Sequence, residues 1–279
     1  MALKKSNDEL TKVVNEIEEE ENRTLNDMEI AEDGYVHDVP LLAGYVDENG
    51  TLHDTFTFRE MTGKDEEAIS KGDVRSNGAK MVNVLVERCV VAIGSLTKKE
   101  VGTAKWGSIV RELLGGDLDY ISFKIRELSK GKEIEFSHKC PDCGQKLTTV
   151  VSTDDFGINP FKGQREIAFT LERGYRDAKG SIHKEGVLRL PNGLDREVIT
   201  PLFRKNTSTA MTMLLTRLIS FNDGAMVTQS LINDMSLRDR DILEKIIEEH
   251  AFGLDTEIEI ICPSCGSDIS GEVGQSNFL

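Results

Sequence analysis

Two short stretches of this 279-residue chain carry residue types that could do chemistry: CPDCG at 140–144 and CPSCG at 262–266. In each, two cysteines stand two residues apart, so their thiolates can converge on one ion, while the proline restricts the backbone reversal between them and the glycine permits it. Such a knuckle supplies two ligands, and structural zinc takes four, so each stretch is half a site. A redox pair is the competing reading of CxxC. Thioredoxin-like pairs sit at a helix start after a strand, whereas strand-like segments flank both stretches here, EIEFSHK and KLTTVV around the first, EIEII and DISGEV around the second. Catalytic zinc keeps an open position and usually mixes in histidine or carboxylate, which four thiolates do not provide. The spacing predicts structural zinc.

The missing ligands follow from a comparison of the two halves. If each knuckle held its own ion, each should bring matching extra ligands, yet His138 aligns with Ile260 and His250 with Leu128. A shared site of Cys140, Cys143, Cys262 and Cys265 is the economical solution, with the halves packed about a pseudo-twofold axis that sets the knuckles face to face. Whether the ion is shared within one chain or between chains stays open at this point. The fifth cysteine, Cys89, lies in an apolar helical stretch and is expected to be a small core residue.

The alignment rests on an internal repeat. GYVDENGTLHD at 44–54 returns as GYRDAKGSIHK at 174–184, a shift of 130, and at the same shift Arg59, Gly63, Asp65, Glu67 and Ile69 match Arg189, Gly193, Asp195, Glu197 and Ile199. Arg75, Asn77 and Arg88 match Arg204, Asn206 and Arg217 at 129. Asp117, Asp119, Ile125, Glu127 and Gly131 match their counterparts at 122. The drop from 129 to 122 places about seven extra residues in the first copy, within SLTKKEVGTAKWGSIVRELL, the region of the single tryptophan, Trp106. An exposed Trp106 would be a partner contact; burial beneath the insertion is the expected state.

Each copy predicts the same elements: a hairpin (about 41–60 and 168–190), a short acidic helix after a Thr-Gly or Asn-Gly corner, an apolar helix (MVNVLVERCVVAIG and MTMLLTRLISF), an amphipathic helix, and the knuckle hairpin. The amphipathic helix should start near Asp117 or Ser236, whose side chains suit orphan amides, and end at Gly131 or Gly253. The fold class expected is α+β, two tandem copies of this unit related by a pseudo-twofold and preceded by an acidic arm. The divisions are 1–38 for the arm, 39–152 and 166–273 for the copies, 153–165 for a linker and 274–279 for a tail. The arm carries 11 acidic and 4 basic residues by Val36, with Leu10, Val13, Val14 and Ile17 at helical spacing, which reads either as a docking helix or as a solvated acidic segment.

A net charge of −15 repels nucleic acid and anionic membrane. There is no apolar run of membrane-spanning length and no secretory signal at the start, so an intracellular site of synthesis is expected. No phosphate-cradling glycine loop and no catalytic constellation appears, so neither an enzymatic activity nor a small-molecule substrate is expected. Tyr45 and His53, like Tyr175 and His183, are read as cross-strand pairs, and Arg59–Asp65 and Arg189–Asp195 as ion pairs at helix starts.

The order GYxDxxGxxH, TGxDE, apolar helix, Asp-led helix, EIEF and CPxCG resembles the T-even-type baseplate hub and tail-assembly family of contractile-tailed bacteriophages, over roughly 39–151 and 166–273. That resemblance implies a non-enzymatic structural or assembly part of a tail baseplate, made in the host cytoplasm, located in the virion tail and bound to other tail proteins. The alternatives are a tail-assembly chaperone absent from the mature particle and a non-viral zinc-ribbon interaction adaptor. Two full copies in one chain depart from the family pattern and raise the question of whether one chain does the work of a dimer.

Overall fold

The computed structural model describes residues 29–177 and 180–273, with the side chains of Phe136 and Glu272 left out. The expected arm helix with Leu10, Val13, Val14 and Ile17, and the tail 274–279, lie outside the described residues.

The first half opens with strands β1 (Val36–Val46) and β2 (Leu52–Phe58), so strand structure begins inside the expected arm. Thr62 caps α1 (Gly63–Ile69); α2 (Gly72–Arg75) and α3 (Gly78–Cys89) follow. The expected apolar helix stops at Cys89, where the chain becomes strand β3 (Val90–Ile93). The physical reason lies in the β-branched Val90, Val91 and Ile93, whose segment completes the hairpin sheet by pairing Phe56 with Ile93 and Thr57 with Ala92. Strand β4 (Leu96–Thr97), α4 (Lys98–Val101) and α5 (Thr103–Glu112) lie in the stretch expected to hold the extra residues, and α6 (Gly115–Lys130) leads to the first knuckle hairpin, β5 (Glu133–Lys139) and β6 (Lys146–Ser152). Trp106 is wholly buried in the first core beside Phe56, Phe58 and Leu85, which removes it as a partner contact.

The expected linker contains strand β7 (Gly157–Asn159). The second half then runs β8 (Glu166–Arg176), β9 (Ile182–Arg189), α7 (Gly193–Phe203), α8 (Thr207–Leu218), β10 (Ile219–Phe221), α9 (Gln229–Asp234) and α10 (Leu237–Glu249). Here too the apolar segment ends as strand, Ile219 pairing with Leu188. Strand β11 (Gly253–Asp255) pairs with β7, and β12 (Glu257–Ile261) with β13 (Asp268–Glu272) forms the second knuckle hairpin. Helix α10 ends at Glu249, ahead of the expected Gly253 cap. Gly253, at φ 118°, instead lies against Gly116: a Cβ there would sit 2.9 Å from the Gly116 Cα. The architecture is α+β, with sheets ordered β1-β2-β3-β4 and β10-β9-β8 and three two-stranded ribbons.

Several contacts occur at matched places in both halves. Asp65 receives hydrogen bonds from Arg59 and Arg88, and Asp195 from Arg189 and Arg217, both aspartates with no exposed surface. Arg88 and Arg217 are the third members of clusters that sequence reading limited to pairs. Tyr45 stacks on His53 and Tyr175 on His183, at 6.1 Å in each case. Asp47 accepts the Thr51 amide at 2.8 Å and Asp177 the Ser181 amide at 2.8 Å.

Asp117 and Asp239 clamp the long outer strands. β1 loses register between Pro40 and Tyr45, and Asp117 Oδ1 accepts the freed amides of Leu42 and Ala43 at 2.8 and 3.0 Å. β8 loses register between Thr170 and Tyr175, where Asp239 accepts those of Glu172, Arg173 and Gly174. Asp117 was expected to serve its own helix start; it serves the strand instead. Burial pushes its carboxyl up to about 6, against the pull of the Ala43 and Leu42 amides and Arg165. The folded chain therefore holds a proton there that an unfolded carboxyl, at about 3.9, releases, so stability falls as pH rises from about 4 to about 6 and stays lower above. Asp117→Asn keeps an acceptor oxygen without the charge. Relative to the parent, it should gain on the order of 2 kcal/mol between about pH 4 and pH 7 in urea unfolding; equal pH dependence in both proteins would refute this.

Each half has its own apolar core, the first around Leu85, Val86 and Ile121, the second around Leu188, Leu215 and Leu243. Across the joint, Asn83 Nδ2 donates to the Gly193 carbonyl and to Glu197, and Arg111 also reaches Glu197. Arg196 pairs with Asp119 at 2.9 Å, and Arg165 donates to the Ala43 and Gly44 carbonyls. A smaller apolar cluster of Phe123, Ile134, Val151 and Val273 spans the bases of both knuckle hairpins.

Candidate metal centre

Each knuckle is built by its own backbone. In the first, the Cys140 amide donates to the Gln145 carbonyl at 2.9 Å and the Gly144 amide to the Cys140 carbonyl at 3.0 Å. In the second, Cys262 donates to Ser267 at 2.9 Å and Gly266 to Cys262 at 2.8 Å. Closing so tight a turn needs a left-handed residue, and the glycines supply it with φ of 74° at Gly144 and 75° at Gly266. The flanking strands register Lys139 with Lys146 and Ile261 with Asp268, holding both turns at hairpin tips.

The hairpins bring the four sulfurs together. The Sγ atoms of Cys140, Cys143, Cys262 and Cys265 all lie within 4.8 Å of one another. Two separations are short: Cys140 to Cys265 at 3.7 Å and Cys143 to Cys262 at 3.8 Å. Four sulfurs at the zinc–thiolate distance of about 2.3 Å form a tetrahedron with edges of roughly 3.8 Å, so both short pairs match an edge of such a site. Exchanging the knuckles maps one short pair onto the other. Cys140 and Cys262 are buried, while Cys143 and Cys265 are exposed, so each short pair joins an inner sulfur of one half to an outer sulfur of the other.

The thiols do not share one proton affinity. The Ser267 hydroxyl and amide hold Cys265 down to about 6. At Cys143 the Gln145 amide pulls the same way, but partial desolvation and its hydrogen bonds with Cys140, Cys265 and Cys262 outweigh it and push the group up to about 12. Four thiolates this close would repel one another, and a divalent cation would remove that penalty. The donor set and the sulfur spacing therefore fit zinc. Among the described residues this is the single group of three or more cysteine, histidine or acidic side chains placed to hold a metal, and His138 is not in it. Cys89 lies elsewhere, fully buried in the first core, its thiol pushed up to about 11 by burial.

The matched Tyr–His pairs make their contacts inside their own halves. His53 is buried against Tyr45, whose hydroxyl donates to Glu112 at 2.9 Å. His183 Nδ1 lies 2.6 Å from Asp223, whose hydrogen bond raises the imidazole pKa. No helix among the described residues is long and apolar enough to cross a membrane.

A family model described as T4 bacteriophage base plate protein matches residues 46–278, a span that takes in both knuckles. No curated protein and no solved structure matches the chain.

Proposed function

We propose that this chain, which belongs to the T4 bacteriophage base plate protein family, is a resident structural subunit of a contractile-tail baseplate, with its two halves clamped by one structural zinc. The observation that carries this reading is that the two halves contribute equally to one group of four sulfurs within 4.8 Å of one another, two of whose separations match the edge of a zinc–thiolate tetrahedron. Cys140, Cys143, Cys262 and Cys265 would be the ligands, and the ion would supply charge neutralisation and a fixed angle between hairpins. Metal binding at such sites contributes folding free energy on the order of 10 kcal/mol, ample for two-stranded hairpins that are marginal alone.

The matched clusters at Asp65 and Asp195, at Asp117 and Asp239, and in the two knuckles support reading the halves, 39–152 and 166–273, as tandem copies of one unit. The exchange relation between the short sulfur pairs supports a pseudo-twofold at the knuckles. A family match spanning both halves favours the two-unit layout as a trait of the family rather than a departure from it. The role of such a subunit is a rigid non-enzymatic adaptor in the virion tail whose acidic surface meets other tail proteins, without nucleic acid, membrane or small-molecule substrate.

Quantitative mass spectrometry of purified particles tests this. A fixed small number of copies per particle is the expected result. Absence from particles, with presence in assembly intermediates, would replace the resident role with that of a chaperone; absence from both would favour an adaptor unrelated to virions.

A further inference from the structure

We infer that the four-cysteine group is also an oxidation site at which hydrogen peroxide converts the clamp into two disulfides between the halves, Cys140–Cys265 and Cys143–Cys262. CxxC spacing by itself suggests the opposite outcome, a disulfide within each knuckle. The geometry points across the joint, because the two sulfur pairs in hydrogen-bonding geometry, at 3.7 and 3.8 Å, both run from one half to the other. Closing either to a disulfide bond requires an approach of about 1.7 Å, within reach of a side-chain rotation at a hairpin tip.

Exposure orders the steps. Each short pair has one sulfur at the surface and one beneath it. The outer sulfur, Cys265 or Cys143, meets the peroxide first and reacts through its thiolate form: it takes one oxygen, the O–O bond breaks, and the second oxygen leaves as water after taking a proton. The inner thiolate, Cys140 or Cys262, then attacks the sulfenic sulfur, forming the S–S bond and expelling hydroxide, which a second proton converts to water. Each pair thus consumes two thiolates, one peroxide and two protons, and yields one disulfide and two waters. The sulfurs lose their charge, and any bound divalent cation is released. Cys89 takes no part because it is enclosed in the first core.

The consequence is a clamp that changes chemistry without opening. Chain segments 125 and 119 residues apart stay tied after the metal has gone. The inference concerns sulfur positions and stands apart from the identity of the ion and from the baseplate role.

The experiment treats the full purified chain, as isolated with its metal, with hydrogen peroxide, follows zinc release with a chromogenic chelator, and maps disulfides by non-reducing peptide mass spectrometry. The expected result is a loss of four hydrogens, linkages 140–265 and 143–262, a free Cys89, and reversal by a thiol reductant. Linkages 140–143 and 262–265 would overturn the inference, as would 140–262, over-oxidation to sulfinic acid without cross-links, or no reaction. Cys143→Ser serves as the second variant, since it should still form 140–265 and leave Cys262 reduced; a 262–265 linkage in that variant would also overturn it. If no zinc is released but the cross-links form, the zinc reading fails and this one survives.

Discussion

Replacing Cys262 with serine is expected to loosen the knuckle hairpins of both halves, including the first, which holds no altered residue. The wild-type chain should carry one zinc by elemental analysis, and the variant none. Hydrogen exchange supplies the test: in the variant, the amides of 133–152 and 257–272 should lose protection together, by a hundredfold or more if on the order of 3 kcal/mol of local stability goes. Each hairpin is a two-stranded ribbon, a structure with little stability of its own. Its apolar support at the base is the small cluster of Phe123, Ile134, Val151 and Val273. The main cores, which lie elsewhere, should keep their protection, as should the joint made by Asn83, Arg111 and Glu197. Chelation of the wild-type protein should reproduce the same map. Protection retained at 133–152 in the variant, or two zinc ions in the parent, would sink the shared clamp. Cys89→Ser is the control, leaving the zinc count at one.

What was legible in the sequence was what local chemistry dictates. CPxCG specifies its turn through two residue types, and the turns formed with nearly the same glycine φ and the same amide-to-carbonyl bonds. The matched residues 59/189 and 65/195 foretold ion pairs because arginine and aspartate six residues apart flank a capped helix start. What escaped depended on distant partners. VVAI at 90–93 reads as the end of an apolar helix, and nothing nearby says otherwise; it becomes strand because β2 offers an open edge to pair with. Asp117 looks like a helix-start residue until β1 is seen to bulge against it. The joint between the halves left no trace, since Asn83, Arg111 and Arg196 make it with carbonyls and with Glu197 and Asp119 and have no counterpart roles across the repeat. Asn83 aligns with Thr212, which turns to Asn233 inside its own half.

Acid should find the two halves through the same residue type. Asp65 and Asp195 are fully enclosed, and burial alone would raise their pKa. At Asp65, hydrogen bonds from Arg59, Thr62 and Arg88 outweigh burial and hold the carboxyl well below its usual range; at Asp195, Arg189, the Asn192 amide and Arg217 outweigh burial and lower it. A depressed folded pKa contributes stability that is present in full above the unfolded value of about 4 and is lost as pH falls through the folded value. Acid unfolding of the parent is therefore expected to steepen below about pH 4. Asp195→Asn should cost on the order of 3–5 kcal/mol at pH 7, because it leaves Arg189 and Arg217 facing an amide where a buried carboxylate stood, and it should flatten the acid limb at the same time. Asp65→Asn should do likewise in the first half. Urea midpoints at pH 7, set beside circular dichroism on acid titration, separate this from a packing effect, since a packing loss would lower stability equally at every pH. The second half has the smaller core, so Asp195→Asn should leave a chain whose second half unfolds at lower urea than its first. Coincident unfolding of both halves in that variant would instead make the joint, rather than the separate cores, the unit of cooperativity.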